Sequence, residues 1–502
     1  MKDSAQLGAK ARTFGWRLLT PGNTLSQRVV HAGFWAFALR IADRLFGLAR
    51  TVILARLLAP EDFGLFGIAL LALSMLETFS ETGFNAAIIQ KKGDVKPYLD
   101  TAWTVQVIRG FLLALLLLVI APYVAMFFGE PGAASLVRAL ALVTVLRGLV
   151  NTGVIYFRKE LEFHKEFIYM FSGTLVDLAV SIPAALILRN AWALIFGLVV
   201  GQFVRMVVSY LLHPYRPRPR LERARARELY TFGRWIFASH VLVFLLNHGD
   251  DMLLGKLLGA TALGLYQMAY RLSNLPATEL THVISQVTFP VYSKLQDQLA
   301  RVRQAYLQTL QVIAFISFPI AAGVAFLASD FTRVFLGGQW IPMVPAMQVL
   351  ALWGLIRSIS ATTGPLFQGL GRPKIATILQ LIRLAVLASC IFPLTTLWGM
   401  VGTAIAVVLS ALCVDPFALD IARRMCRARA HEVAKVFLAP FLASGLMWAG
   451  LRGLKRLAFP VVDLFSFALL VATGAGIYLL SAALLSRWTG CKIIFVLDVD
   501  KK

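Results

Sequence analysis

LDTAWTVQVIRGFLLALLLLVIAPYVAMF, residues 99–127, carries only two charged side chains, Asp100 and Arg109. About 20 apolar residues in helical form suffice to cross a bilayer. A run this long and this apolar on every face needs a nonaqueous solvent rather than a water-facing surface.

The same pattern recurs in both directions along the chain. Apolar helical runs fall at roughly 30–57, 62–89, 99–127, 133–156, 166–188, 191–213, 230–256, 262–289, 305–328, 343–368, 375–396, 399–421, 433–451 and 461–486. The chain is 58% hydrophobic and 15% charged, with a mean hydropathy of +0.73. Soluble domains run nearer about 45–50% and about 25%. The fold expected is an all-α polytopic membrane protein of about 14 transmembrane helices. Residues 1–28 hold five basic residues and no apolar core ahead of a small-residue cleavage site, so they do not read as a signal peptide. A basic amphipathic surface helix and a disordered tail fit them equally.

The net charge of +23 would suit a nucleic-acid binder, but the placement of the charges does not. They cluster in short runs between apolar segments. Alternate loops hold 31 and 7 of the Lys and Arg residues. The positive-inside rule therefore puts both termini in the cytoplasm of a multi-pass inner-membrane protein, with an even number of helices. The last outer loop, with Arg452, Lys455 and Arg456, fits least well. Cys390, Cys413, Cys426 and Cys491 show no paired spacing. They read as packing residues, and no disulfide, metal or cofactor is inferred.

An offset of 200 residues aligns Gly33, Trp35, Phe37 and Ala38 with Gly233, Trp235, Phe237 and Ala238. It also aligns Gly64 and Leu65 with Gly264 and Leu265. Six helices separate the copies, which makes this a parallel repeat about the membrane normal. The organisation expected is a basic N-terminal segment (1–28), an N-lobe of six helices (29–213) and a basic linker (214–229). A C-lobe of six helices (230–423) and two further helices with a tail (424–502) follow. The linker, with Pro214, Pro217, Pro219 and the basic run Arg216–Arg227, reads as an extended topology-setting connection. Contact with anionic lipid headgroups is the alternative.

The other 11 basic residues are arginines inside predicted helices: 40, 44, 50, 109, 138, 147, 205, 234, 271, 357 and 383. An arginine at the bilayer centre costs about 2.5–3.5 kcal/mol on insertion scales unless it faces protein or water. Arg138 and Arg234 lie near helix ends and can snorkel. On the first helix Arg40, Asp43, Arg44 and Arg50 share one stripe. Pairing of Asp43 with Arg40 or Arg50 is the structural alternative to an anion-attracting, water-filled cavity. The aligned stripe of the second repeat reverses the sign: His240, Asn247, Asp250 and Asp251, with His248 at its margin. Asp43, Asp250 and Asp251 are the candidates for a coupling cation or proton, with ion pairing or outer-surface solvation as the alternative. Arg271 and Arg357 are candidate lining of the same cavity, and Arg109, Arg147, Arg205 and Arg383 weaker ones. Glu77, Glu81, Glu279 and His282 read as satisfied polar contacts. Gly337–Trp340 reads as a turn with an interfacial Trp anchor, and Gly369–Lys374 as a turn without phosphate-loop spacing. No catalytic motif and no loop long enough for a catalytic domain is present, so the chain is not expected to be an enzyme.

The segment LARLLAPEDFGLFG (54–67), followed by ETGFN (81–85), resembles the polysaccharide flippases of the MOP transporter superfamily. YFRKELEF (156–163), DDMLLGKLLG (250–259) and GLYQMAY (264–270) add to the likeness, which covers roughly 25–425. The resemblance implies two six-helix lobes around a central cavity and alternating access. It implies an undecaprenyl-linked oligosaccharide substrate, with membrane lipids and the polysaccharide polymerase and export machinery as partners. It also implies that Arg40, Arg44 and Arg50 hold the substrate's phosphates. Arginine suits that role, since its planar fork binds oxygen pairs and stays charged. A cation-coupled multidrug exporter would want an acidic cavity, and a membrane glycosyltransferase or ligase a large outer loop.

Overall fold

The computed structural model describes residues 25–80, 96–160, 162–457 and 463–489. Glu81–Asn85 lie outside them, as do the side chains of Arg40, Arg234, His240, Glu279 and His282. The described secondary structure is helical, and ten helical stretches are long and apolar enough to cross a membrane. The chain is a multi-pass membrane protein. It divides into two compact units, Met1–Phe244 and Leu245–Lys502.

The first unit contains α1 (Leu25–Leu57), α2 (Pro60–Phe79), α3 (Lys96–Phe128) and α4 (Pro131–Gly148). A short α5 (Ile155–Lys159), then α6 (Phe163–Leu188) and α7 (Trp192–Leu212), complete it with the start of α8 (Arg223–Leu295). Proline opens α2 and α4, where a missing N–H costs nothing. At the start of α2, Asp62 accepts from the Ala59 amide at 2.9 Å, half of a capping box. Its core joins α2, α3, α4 and α7 through residues such as Leu73, Leu117, Val137, Leu140 and Ile195. α3 is inside out by the standards of a soluble helix: Phe111, Leu115, Tyr123 and Met126 are exposed while Leu113, Leu117 and Ala121 are buried. An exposed apolar stripe of that length marks a lipid-facing surface.

The second unit holds the rest of α8, α9 (Leu299–Phe331), α10 (Val344–Ser360) and α11 (Thr363–Gly369). α12 (Pro373–Met425), α13 (Ala430–Leu457) and α14 (Leu464–Thr489) follow. α8 breaks at Gly259, whose φ of 78° is open to glycine. α12 breaks at Trp398 and Gly399. Both breaks fall in gaps between predicted apolar runs. α13 and α14 pack on α9 through Leu327, Ala443, Met447, Leu451 and Tyr478. Two of the charges that fit the topology rule least lie in the last turns of α13 and are engaged: Lys455 is paired with Asp330, and Arg452 stacks over Trp448 at 5.3 Å.

Candidate functional site

Glycines fix how closely the helices of the first unit approach. On α7, Gly197 and Gly201 form a small-xxx-small pair of the kind that lets membrane helices touch. A Cβ on Gly201 would lie 2.7 Å from the Gly173 carbonyl of α6. α3 and α4 meet likewise: a Cβ on Gly110 would lie 2.7 Å from the Thr144 carbonyl and 3.0 Å from the Gly148 Cα. Two tight helix pairs held this way leave a cavity between them. Its volume is about 420 Å³.

Charged and polar side chains share its lining with apolar ones such as Leu113, Ile155 and Phe157. Arg109, Arg147, Arg158 and Arg205 face it against two carboxylates, Glu77 and Glu166. Arg147 donates to both oxygens of Glu77, at 2.5 and 2.7 Å. Arg109 donates to the Glu77 carbonyl at 2.8 Å and to the Ser80 hydroxyl at 2.9 Å. Arg158 donates to Glu166 at 2.7 Å. Arg205 bonds neutral oxygens: the Met170 carbonyl (3.3 Å) and the Thr174 hydroxyl (3.0 Å). The Thr174 hydroxyl in turn donates to Asp43 at 3.0 Å. Asp43 is exposed and bonded across to α6.

Gln202, one turn before Arg205, is 6% exposed and lines the same cavity. Among the described residues its amide makes no hydrogen bond. A cavity with more arginine than carboxylate attracts anions, and attracts them more strongly where water is scarce.

The loop after α4 and the chain after α7 close one side. Asn151 caps its own turn through the Gly153 amide (2.8 Å) and donates to the Tyr215 carbonyl (2.7 Å). Residues 213–222 then run as an extended strap along the first turns of α3. Asp100 accepts from the Tyr215 hydroxyl and the Arg218 amide, and Thr104 accepts from the Arg220 amide at 2.9 Å. Arg216, Arg218 and Arg220 are exposed, and Arg216 folds back to donate to the His213 carbonyl at 2.7 Å. Burial and the Asp100 hydrogen bond push the Tyr215 phenol up. Burial, with Lys165 adding to it, pulls the His213 imidazole down.

On α1 the partner of Arg50 is Asp177 of α6, at 3.0 Å, rather than Asp43. The Asp43–Arg50 pairing weighed from the sequence is replaced by one between helices, and the Arg40 alternative lies outside the described side chains. Arg44 is exposed and also engaged in contacts.

The second unit gathers a different set. Asp250 is 3% exposed; one oxygen accepts from the Tyr266 hydroxyl at 2.7 Å and the other is buried without a hydrogen-bond partner. Asp251 accepts from Gln267 at 3.2 Å and lies 3.7 Å from His248. Further along α8, Tyr270 accepts from the Trp353 indole at 3.3 Å. Arg383 covers the Trp353 ring at 4.3 Å and lies 3.7 Å from Asp415. Arg357 is half-buried on α10, one turn beyond Trp353, and Arg271 is exposed.

Sequence reasoning gave the first-helix stripe most weight and left Arg109, Arg147 and Arg205 as weaker lining. Arg158 counted only as a loop charge. The signal that would have joined them is the glycine spacing at 173, 197 and 201, which fixes α6 against α7.

Among known proteins, the profile of the family described as "Polysaccharide biosynthesis protein" matches residues 53–345. The "Lipopolysaccharide biosynthesis protein WzxC" of Escherichia coli (strain K12) is 25% identical over 399 residues, 78% of this chain and 79% of that one. The "Succinoglycan biosynthesis transport protein ExoT" of Rhizobium meliloti (strain 1021) is 25% identical over 333 residues, 66% of this chain and 67% of that one. In three dimensions the chain is similar to the "Lipid II flippase MurJ, inward closed conformation", with a TM-score of 0.73. That likeness covers 90% of this chain and 99% of the other at 15% identity, and it shows a shared fold. With its profile matched over more than half its length, the chain belongs to the polysaccharide biosynthesis protein family.

Proposed function

We propose that the chain is a transporter, not an enzyme, that carries undecaprenyl-linked oligosaccharide repeat units from the cytoplasmic to the periplasmic leaflet for surface polysaccharide assembly. The observation that carries this reading is the polar, arginine-rich cavity held among apolar helices of the first unit. A glycan needs such a wet path, because burying hydroxyls without partners costs several kcal/mol each. The family and relatives named for lipopolysaccharide biosynthesis and succinoglycan transport support the same substrate class. An acidic drug-binding chamber would have a different lining.

Under this reading both termini are cytoplasmic and the membrane is the inner one, as the loop charges suggest. Arg40, Arg44 and Arg50 meet the phosphates in the course of transport, with Arg271 and Arg357 as further cationic groups. Asp250 takes up the coupling proton or cation, assisted by Asp251. The unpartnered buried oxygen of Asp250 supports that role, since an isolated intramembrane carboxylate is costly unless it serves a path. Asp43, bonded to Thr174 and exposed, is the weaker coupling candidate.

Deleting the gene tests the reading. Lipid-linked repeat units should accumulate on the cytoplasmic side and surface polysaccharide should fall; unchanged surface polysaccharide without accumulation contradicts it.

A further inference from the structure

The cavity of the first unit has features that transport in general does not require. Its charge is unbalanced, with four arginines to two glutamates. Gln202 is more than nine-tenths buried, lines the cavity and offers an amide with no hydrogen-bond partner among the described residues. The amide opens on the cavity, where it can bond a group that enters. Arg205 sits one turn on, on the same face of α7, and its bonds go to neutral oxygens. Among the described residues no carboxylate lies within ion-pair distance of it. Glu166 is 7% exposed and its second oxygen has no donor. The volume of about 420 Å³ falls within the usual range for small-molecule sites, about 300–1,000 Å³.

These groups sort by chemistry. Arginine donors match phosphate oxygens. A free amide, which donates and accepts, matches hydroxyls, and so does a carboxylate oxygen in want of a donor. We propose that this cavity is a binding site for a phosphorylated sugar, with Arg205 on the phosphate and Gln202 on the sugar hydroxyls. It deepens the transport reading above and rests on it for the source of the ligand: the cavity lies toward the helix ends that the charge count assigns to the cytoplasm, where a lipid-linked glycan would be loaded. Free sugar phosphates share the chemistry.

Cysteine protection tests it on the full chain in lipid nanodiscs. The native cysteines all lie at 390 and beyond, so Val154→Cys, which lines the cavity, is resolved from them by peptide mass. The rate of maleimide labelling is followed with glucose 1-phosphate, inorganic phosphate, glucose, or a polyprenyl phosphate glucose placed in the disc. Glucose 1-phosphate should slow labelling at least about fivefold, phosphate less, and glucose not at all. Arg205→Gln should raise the half-protecting concentration of both phosphate probes about tenfold, the scale of one charge-assisted pair. Arg205→Lys should raise it less. Gln202→Leu should weaken glucose 1-phosphate and leave phosphate unchanged.

No protection by either phosphate probe overturns the proposal, as does protection indifferent to Arg205→Gln and Arg205→Lys. Equal effects of Gln202→Leu on both probes overturn its sugar half. Protection by the lipid-borne probe at lower concentration assigns the lipid source; protection by the soluble probes alone assigns free sugar phosphate. Protection without translocation of lipid-linked oligosaccharide sinks the transport reading and leaves this site standing, and the reverse result sinks the site alone.

Discussion

The two units arrange their charged groups in opposite ways. In the first, Arg109, Arg147, Arg158 and Arg205 surround an open space, and the carboxylates that answer them are fewer. In the second, Asp250 is shut away under the Tyr266 hydroxyl, and Arg383 is pressed between an indole face and Asp415. The offset that pairs the two halves of the sequence sets Arg50 against Asp250, and their surroundings differ as their signs do. Arg50 has a countercharge in Asp177 at 3.0 Å, whereas Asp250 has a phenol. A cation with a carboxylate partner is structural in the resting protein. A carboxylate with a neutral partner is the one to which the proposed transport cycle assigns exchange of a proton or cation.

That contrast can be attacked from either side. The largest effect should come from Arg50→Gln or Asp177→Asn, each leaving an uncompensated charge. Each should destabilise the protein by about 3 kcal/mol, the lower end for a buried pair because both groups keep some exposure. The double variant should cost less than the sum, read by thermal unfolding in detergent; strict additivity would deny the pairing. Gly201→Leu should come next, at about 1–3 kcal/mol or more, because the Gly173 carbonyl occupies the space. A normal yield of monodisperse protein would show that α6 and α7 are not so closely packed.

Asp250→Asn should shift stability by only about 1 kcal/mol, since the amide still accepts from Tyr266. It should abolish the dependence of transport on an ion gradient, and an unaltered dependence would remove Asp250 from coupling. The smallest effect is on the strap. His213 stacks on Tyr156 with centroids 5.5 Å apart and accepts from the Tyr215 amide at 3.2 Å. The amide contact needs the neutral ring, because a protonated Nδ1 cannot accept. Burial lowers its folded pKa below the unfolded value of about 6.5. This stabilisation is therefore present above about pH 6.5 and lost as pH falls through the lower folded value. Hydrogen exchange of residues 213–222, corrected for intrinsic rates, should quicken between pH 7.5 and 5; His213→Phe should remove the change.

Much of the fold was legible because bilayer thickness sets helix length. The gap between runs at 257–261 contains the break at Gly259, and that between 396 and 399 the break at Trp398–Gly399. The intramembrane arginines were visible for the same reason, since each stands out against an apolar run. Their partners were not visible. Asp177 lies 127 positions from Arg50 and Glu77 lies 70 from Arg147. Only the packing of one helix on another brings them together. Sequence position placed Arg40, Asp43, Arg44 and Arg50 on one stripe, while packing divided their roles. Asp43 went to Thr174 and Arg50 to Asp177. The cavity drew instead on α2, α3, α4, α6 and α7, which no single-helix projection could join.

The central claim is that charges inside this membrane protein serve passage of an anionic, glycan-bearing lipid. The most direct measurement reconstitutes the purified chain into vesicles with a fluorescent polyprenyl diphosphate oligosaccharide in both leaflets and follows loss of quenching by an outside reagent. Vesicles with the chain should expose nearly all of the lipid, and vesicles without protein only the outer half. Vesicles with Arg205→Gln should exchange at least about tenfold more slowly. An exposed fraction that stays at one half in the presence of correctly folded protein would contradict the account.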